Sequence, residues 1–306
     1  MTPRPTILAM GAVAVDHVLV TEAFPREDSK SRVVREYRVV GGCIGTAARA
    51  AAALGAKVKY AGKLGTSSEA ELVLQALLRS GVDTRLVQRD ETSQPIRSVI
   101  LESEATHSRT VLYNLEDCAP ASETWPVEEE ISSSDLLLID HFGMEGMLRA
   151  ARIAAAASIP IVADFEHDAR AEFVELLSLV DHLILAREFA LRITATSSPA
   201  AACDALWTNA RQVVAISCGN EGLYYRDRST AKPKQMPAIR VIAQRTTGCG
   251  DVLHGAYTAA YLRTRDVPHA LKFGVAAAAA HAEKPWEDGA SIELKRVEQL
   301  LAQTAR

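Results

Sequence analysis

The chain has no Cys-x-x-Cys spacing, and its five cysteines are an odd number. Zinc sites and redox motifs use close pairs, and disulfide frameworks use even numbers. The cysteine pattern therefore favours reduced thiols, and we expect a cytoplasmic protein. No apolar run reaches the roughly 18 residues that cross a membrane. A buried first strand explains the short apolar run before Asp16 better than a signal peptide does.

Basic runs and aromatic rings are also scarce. The formal net charge is -4, and no dense run of Lys and Arg is present, which argues against a nucleic-acid surface. The composition, 48% hydrophobic and 24% charged, suits one large globular domain or two modest ones. No linker, repeat or composition break divides the chain. We therefore expect a single domain over residues 1–306 that binds small molecules, and neither nucleic acid nor membrane.

Short apolar segments alternate with amphipathic segments along most of the chain. This alternation predicts an α/β fold, a doubly wound and mostly parallel sheet flanked by helices. The predicted strands cover residues 6–14, 57–62, 135–140, 159–164, 183–185 and 212–217. The predicted helices cover residues 44–54, 68–80, 146–157, 169–179, 199–210, 252–262 and 275–282. No Gly-x-Gly-x-x-Gly follows the first strand, which argues against a dinucleotide-dependent oxidoreductase.

Four further segments alternate polar and apolar residues, as strands with one wet face do. They cover residues 18–20, 32–40, 96–102 and 107–114, with a polar turn at 103–106. We predict that they form a small separate sheet, inserted into the main domain at about 16–40 and 95–115.

The segment QRTTGCGDVLHG, residues 244–255, has the composition of an anion hole. Gly248 and Gly250 allow the backbone to approach a ligand closely, and the following helix would aim its first amides at an anion. Asp251 would then accept the proton of an attacking hydroxyl. The plainer alternative is an ordinary loop in which Asp251 only caps the helix.

A second motif, Gly41-Gly42, also opens an Ala-rich helix, and the two motifs resemble the paired signatures of the PfkB (ribokinase-like) carbohydrate kinases. The likeness runs over nearly the whole chain. Within the family the chain most resembles the ketohexokinase branch, because segments 24–29 and 108–113 fall in the order expected for that branch. The resemblance implies ATP-dependent, magnesium-requiring phosphorylation of a primary hydroxyl of a sugar or ketose. It also implies that the small sheet is a lid over the sugar and the contact of a homodimer.

On the substrate side, the resemblance assigns Asp16, Gly41 and Gly42 to sugar binding. Many members place Asn where this chain has Cys43 and Thr46, so two amides are replaced by a thiol and a hydroxyl. Arg109 resembles an arginine that reaches an anionic group at the active site. Its alternative is a solvated charge on an edge strand.

On the nucleotide side, residues 217–222 resemble the loop beneath the ATP phosphates and ribose. The resemblance assigns eight positions to ATP binding: Ser217, Gly219, Gly222, Thr246, Val275, Ala278, Ala279 and Ala282. Cys249 stands where the family often has Ala. We expect it to be a small filler, although a thiol at a helix N-terminus can have a lowered pKa and be reactive.

Two positions depart from the family pattern. Arg245 stands where Asp is usual, and residues 186–189 lack the Asn-x-x-Glu that organises magnesium water in many members. Metal ligands are therefore unassigned, and His107 and His141 have no assigned role. Two alternatives stay open. One is a nucleoside kinase, which needs an aromatic or apolar platform that a 5% aromatic content does not obviously supply. The other is a catalytically silent sugar or nucleotide sensor.

Overall fold

The computed structural model describes residues 5–106, 108–118, 120–286 and 292–303. Its strands are β1 (Thr6–Met10), β2 (Ala14–Thr21), β3 (Val33–Gly41), β4 (Lys57–Leu64), β5 (Asp83–Arg89), β6 (Ile96–Ser103), β7 (Arg109–Asn114), β8 (Leu136–Ile139), β9 (Ile161–Phe165), β10 (His182–Ala186), β11 (Val213–Ser217), β12 (Leu223–Asp227) and β13 (Lys234–Met236). Its helices are α1 (Cys43–Ala53), α2 (Ser68–Arg79), α3 (Glu128–Ser132), α4 (Met144–Ala156), α5 (Phe173–Leu179), α6 (Arg187–Thr194), α7 (Pro199–Leu206), α8 (Cys249–Thr264), α9 (Val267–Ala282) and α10 (Leu294–Gln303).

The main sheet has nine strands in the order β13-β12-β11-β10-β9-β8-β1-β4-β5. The seven strands from β11 to β5 run parallel. Strand β12 is antiparallel to β11, and β13 is antiparallel to β12. Side chains of β1 alternate between two cores, Ile7 and Ala9 facing α1, α8 and α9, and Leu8 and Met10 facing α4. A sheet covered by helices on both faces explains its continuous apolar strands. The predicted α/β architecture is confirmed.

The predicted small sheet is also confirmed, as four strands in the order β3-β2-β6-β7. We call it the lid. Its inner face carries Val18, Val20 and Ile100, which pack against Trp286 from the segment after α9. The Trp286 indole donates to Glu102 of β6 at 2.9 Å. His107, which the sequence placed in the last lid strand, lies outside the described residues.

The prediction of one strand over residues 6–14 is wrong. β1 ends at Met10, and the backbone leaves the main sheet at Gly11, whose φ is 152°. A side chain at Gly11 would collide with Ile44 and Asp140. The Ala12 amide then donates to Asp140 Oδ2 at 2.6 Å, which turns the chain toward the lid.

As a consequence, Asp16 does not end the first parallel strand. It is the third residue of β2, inside the lid sheet, where its cross-strand neighbours are Val39 and Ser98. Gly11 was visible in the sequence, but its strand-breaking effect depends on the packing of residues distant along the chain.

Several helix boundaries also differ from the predictions. The helix predicted over residues 199–210 ends at Leu206, because Trp207 is extended and Arg211 Nε satisfies the Leu206 carbonyl at 3.0 Å. The helix predicted over 169–179 is only α5, and no side chain caps its start. The segment 275–282 is the second half of α9, which begins after the N-cap Asp266. β5, β12, β13, α3, α6 and α10 were not predicted.

Candidate active site

The predicted anion-hole segment forms the start of α8. Gly248 is the N-cap residue, in the left-handed region at φ 82°, and no side chain caps the helix. A Cβ at Gly248 would lie 3.0 Å from His281 Nε2, whereas the space around Gly250 is open. Asp251 lies in the first turn and is not the cap, so the capping alternative is wrong. The Cys249 amide donates to the Thr246 carbonyl at 3.3 Å, whereas the Gly250 amide lies in the first turn, where helix amides have no intrahelical acceptor and can bind an anion.

Asp251 lies beside a second carboxyl group that the sequence did not single out. Asp164 in β9 and Cys43 at the start of α1 each place a side-chain atom within 4.8 Å of the Asp251 carboxylate. Burial raises the pKa of Asp251 well above its usual range, and the charges of Asp164 and Glu166 raise it further. Burial likewise raises the pKa of Asp164. The electrostatic interaction with His254 has the opposite effect and lowers the pKa of Asp251.

Asp16 faces the same region from the lid, and its charge contributes to the raised pKa of Asp251. Burial raises the pKa of Asp16 itself, while a hydrogen bond donated by the Ser98 hydroxyl lowers it. A side chain at Gly41 would displace the Asp16 carboxylate. Gly42, at φ 84°, leaves no room for a Cβ, which would lie 2.7 Å from the Ala12 carbonyl. The Gly-Gly motif therefore lets the backbone lie against Asp16.

The two positions that lack the family's amides lie where the two Gly motifs meet. Thr46 is buried in α1, and a Cβ on Gly248 would lie 3.8 Å from its Cγ2. Burial raises the pKa of the Cys43 thiol well above its usual range, so the thiol is neutral and is a weak hydrogen-bonding group.

Arg109 connects the lid to the anion-hole segment. Its Nη1 donates to Thr246 Oγ1 at 2.8 Å. The strand register places Arg109 opposite Glu102 and Tyr113 opposite Ser98, so Arg109 and Asp16 share the inner face of the lid. The contact joins an exposed lid side chain to the anion-hole segment, and the role of Arg109 toward a substrate stays a prediction.

The glycines of the predicted nucleotide loop differ in their surroundings. Ser217 ends β11, and Gly219 follows at φ 58° with open space around it. Gly222, at φ 91°, packs against the Met236 carbonyl so closely that a Cβ there would collide with it. Gly222 is thus required by the packing of β12, and only Gly219 is open to a ligand.

The Ala-rich half of α9 lies next to the anion-hole segment. Cys249 Sγ contacts the Ala278 carbonyl at 3.7 Å, and Val275, Ala279 and Ala282 are each 8% exposed. Burial raises the pKa of Cys249 to about 11, although the charges of Arg109 and Arg245 lower it. A thiol with that pKa is not a reactive thiolate at neutral pH, which supports the filler role.

Arg245, the departure from the usual Asp, is 4% exposed. Its guanidinium lies 5.4 Å from the centre of the Trp286 ring, and its Nη2 lies 3.3 Å from His281 Nδ1. Burial and the charge of Arg245 lower the pKa of His281 to about 4, so this histidine is neutral. The arginine therefore packs under the lid.

Comparison with known proteins agrees with this arrangement. The family model described as "pfkB family carbohydrate kinase" matches residues 4–288. The chain belongs to the pfkB family. It is 26% identical to the ribokinase of Haemophilus influenzae, over 90% of this chain and 92% of that protein. It is 22% identical to the 5-dehydro-2-deoxygluconokinase of Bacillus subtilis, over 96% of this chain and 95% of that protein.

Solved structures share the fold. Arabidopsis thaliana ribokinase complexed with ribose and ATP superposes with a TM-score of 0.80 at 20% identity, covering 98% of this chain and 99% of that one. Giardia lamblia ribokinase superposes with a TM-score of 0.85 at 16% identity, covering 96% of this chain and 99% of that one. The closer likeness to the ketohexokinase branch stays a prediction.

Magnesium does not fit the acidic cluster of this pfkB protein. Cys43, Asp164 and Asp251 form the one group of potential metal ligands found in the described part of the chain. Mg²⁺ requires near-octahedral oxygen ligands, whereas this group combines a neutral thiol with two buried carboxyls whose pKa values are raised. No side chain is assigned to a metal. Within the described ranges, no helix combines the length and apolar character needed to cross a membrane.

A cluster of rings beneath the lid was also missed by the sequence analysis. The Tyr113 hydroxyl lies 3.3 Å from His167 Nε2, and the His167 and His141 rings lie 5.2 Å apart. The His141 ring lies 4.2 Å from that of Phe142. Burial, with the nearby His167, lowers the pKa of His141 to about 4, so His141 is neutral. Residues from β7 and from the ends of β8 and β9 build this cluster, and no local pattern links them.

Proposed function

We propose that the protein transfers the γ-phosphoryl group of ATP to a primary hydroxyl of a sugar or ketose-like substrate. The observation that carries the proposal is the position of Asp251 in the first turn of α8, beside an open helix N-terminus. Asp16 and the Gly-Gly motif approach the same point from the lid side. The arrangement offers a proton acceptor and an anion site within one turn of helix.

In this reaction Asp251 accepts the proton of the attacking hydroxyl, whose oxygen forms the new bond to phosphorus as the bond to ADP breaks. The amides at Gly248, Cys249 and Gly250 stabilise charge on the transferred group. Asp16, Gly41, Gly42, Cys43 and Thr46 form the substrate pocket, and Arg109 approaches the substrate or the phosphoryl group from the lid.

ATP is the proposed phosphoryl donor. An Arabidopsis thaliana ribokinase structure contains ribose and ATP, and an E. coli relative of the same fold contains ATP and Mg²⁺, which supports the assignment of both. The nucleotide would lie along Ser217, Gly219, Thr246 and the Ala-rich face of α9. Mg²⁺ would reach the site with the nucleotide phosphates, since the protein's own carboxyls do not suit it.

A nucleoside kinase is the second candidate function, and the ring cluster beneath the lid favours it. Tyr113 is 49% exposed on the inner lid face, beside His167. A half-exposed ring next to further rings is a surface on which a base can stack.

We also propose a cytoplasmic homodimer that joins through the outer face of the lid, with both lid segments inserted in one kinase domain. Leu112 and Val99 lie directly opposite each other on that face, and Leu112 is 55% exposed. A concavity of about 910 Å³ lies over them. An exposed apolar surface of this kind is typical of an interface.

A screen of substrate-dependent ADP formation tests the function over ketoses, aldoses, deoxyketo acids, sulfosugars and nucleosides. Asp251→Asn keeps the shape of the side chain but removes the proton acceptor. We expect turnover to fall by about two orders of magnitude or more, with little change in ATP affinity. Near-native turnover of this variant would exclude Asp251 as the base. A wild-type protein that forms no ADP with any substrate would favour the silent sensor.

A further inference from the structure

We propose that His254 is a positioning residue of the reaction: held as an imidazolium by two carbonyl oxygens, it keeps the Asp164–Asp251 carboxyl pair from taking up a second proton. The inference rests on the proposed function, because it concerns the ionisation of the proposed base. No role was assigned to His254 or Asp164 from the sequence.

Both ring nitrogens of His254 face an acceptor. Nδ1 lies 2.9 Å from the Gly250 carbonyl oxygen, and Nε2 lies 2.9 Å from the Ile184 carbonyl oxygen. A carbonyl oxygen only accepts hydrogen bonds, and a neutral imidazole has a single N–H. Both contacts are hydrogen bonds only when both nitrogens carry protons. The side chain is 4% exposed, so water does not replace either partner.

The charge of His254 lies next to the carboxyl pair. Nδ1 is 3.3 Å from Asp164 Oδ2, and a carboxyl oxygen of Asp164 lies within 4.8 Å of one of Asp251. No Lys or Arg lies within ion-pair distance of either carboxyl group in the part of the chain that the structure describes. His254 is therefore the counter-ion of the pair.

The groups that face this site from neighbouring elements are mostly acidic. Glu166 follows β9, Asp140 follows β8, Asp16 lies in β2 and the Cys43 thiol lies in α1. From α9 the neutral His281 contacts the loop before α8 at the Thr247 carbonyl, 3.0 Å away. Several acidic groups in a buried site hold protons unless a cation compensates them. The pair can accept the proton of the substrate hydroxyl only while at least one of its two carboxyl groups is ionised.

Substitutions of His254 and of Asp164 should therefore shift the pKa of Asp251 in opposite directions. Replacing His254 by Gln removes a cation, which raises the pKa of the pair. Replacing Asp164 by Asn removes a like charge, which lowers the pKa of Asp251. Activity of a general base appears as the base loses its proton, so the acid limb of the rate profile follows these shifts.

The test measures kcat/KM for ADP formation against pH, with D-ribose as the first acceptor and otherwise the best acceptor from the screen. We expect the acid limb to move to higher pH by about 1 unit in His254→Gln and to lower pH in Asp164→Asn. His182→Gln is the matched control. His182 is buried on β10 and bonds Tyr257 at 2.7 Å, but burial lowers its pKa to about 3, so its loss removes no charge.

A second measurement does not depend on activity. Long-range ¹H–¹⁵N spectra of the full chain with ¹⁵N-labelled histidine report whether one or both ring nitrogens carry a proton, and the signal that disappears in His254→Gln is assigned to His254. We expect both nitrogens to be protonated at neutral pH. If His254→Gln does not fold, His254→Asn supplies the assignment and the rate profile.

Two results would overturn the inference: a single N–H on His254, or acid limbs that move in the same direction or not at all in the two variants. A wild-type protein that phosphorylates no acceptor would contradict the proposed function instead. In that case the spectra alone would decide the protonation of His254.

Discussion

Arg109 offers the sharpest test of whether the lid takes part in catalysis. Its Nη1 donates to Thr246 Oγ1 at 2.8 Å, across the gap between β7 and the anion-hole segment. A hydrogen bond to a charged group contributes about 1.5–3 kcal/mol, and the exposure of this side chain favours the lower value. Since about 1.4 kcal/mol corresponds to tenfold, Arg109→Ala should lower kcat/KM by roughly tenfold.

The adjacent residue supplies the matched control. Thr110 lies on the outer lid face, opposite Leu101, so Thr110→Ala should change kcat/KM by less than about twofold. Both variants would be assayed with the acceptor found in the screen. Wild-type kinetics in Arg109→Ala, or equal losses in both variants, would show that the inner-face contact plays no part in the reaction.

A double-mutant cycle with Thr246→Val separates two roles of Arg109. If the arginine acts by holding the anion-hole segment, the double variant should lose little more than either single variant. If it contacts the substrate directly, the losses should add. Coupling between the two side chains thus distinguishes a segment clamp from a substrate ligand.

Two further predictions concern the pocket floor and the lid surface. Restoring Asn at both Cys43 and Thr46 should change the ranking of acceptors by roughly 1–3 kcal/mol per hydrogen bond gained or lost, and an unchanged ranking by kcat/KM would place these residues outside the pocket. Leu112→Asp places a charge on the outer lid face, so light scattering after size exclusion should show a monomer where the wild type is a dimer; a wild type that is monomeric at micromolar concentration would contradict the lid interface.

The main sheet and the lid were predictable because each has its own hydrophobic pattern. Strands covered on both faces are continuous apolar runs, and lid strands with one wet face alternate. The prediction failed where these two patterns meet. The residues after Gly11 are as apolar as those before it, and only the packing of Ile44 and Asp140 around Gly11 ends the strand. No local pattern contains that information.

The candidate site was predictable to the extent that it lies in motifs. Gly248 to Asp251 and Gly41-Gly42 were found because glycines and an acid at a helix start have a physical meaning in themselves. Asp164 closed a predicted strand, and the rule that ligands gather at the carboxyl ends of parallel strands could have nominated it, but the rule was not applied there. His254 had no such signal, since its partners Ile184 and Asp164 are brought to it by β10 and β9.

The lid and the anion-hole segment are joined at two adjacent residues. Thr246 accepts a hydrogen bond from Arg109, and Arg245 packs on Trp286, whose indole donates to Glu102. Arg109 and Glu102 are themselves cross-strand partners, so both connections reach the same end of the lid. A displacement of this end of the lid must change the Arg109–Thr246 hydrogen bond, the contacts of Trp286, or both. At position 245 an arginine stands where the family usually has Asp. A carboxylate beside the anion-hole segment is thus replaced by a side chain long enough to contact Trp286 beneath the lid.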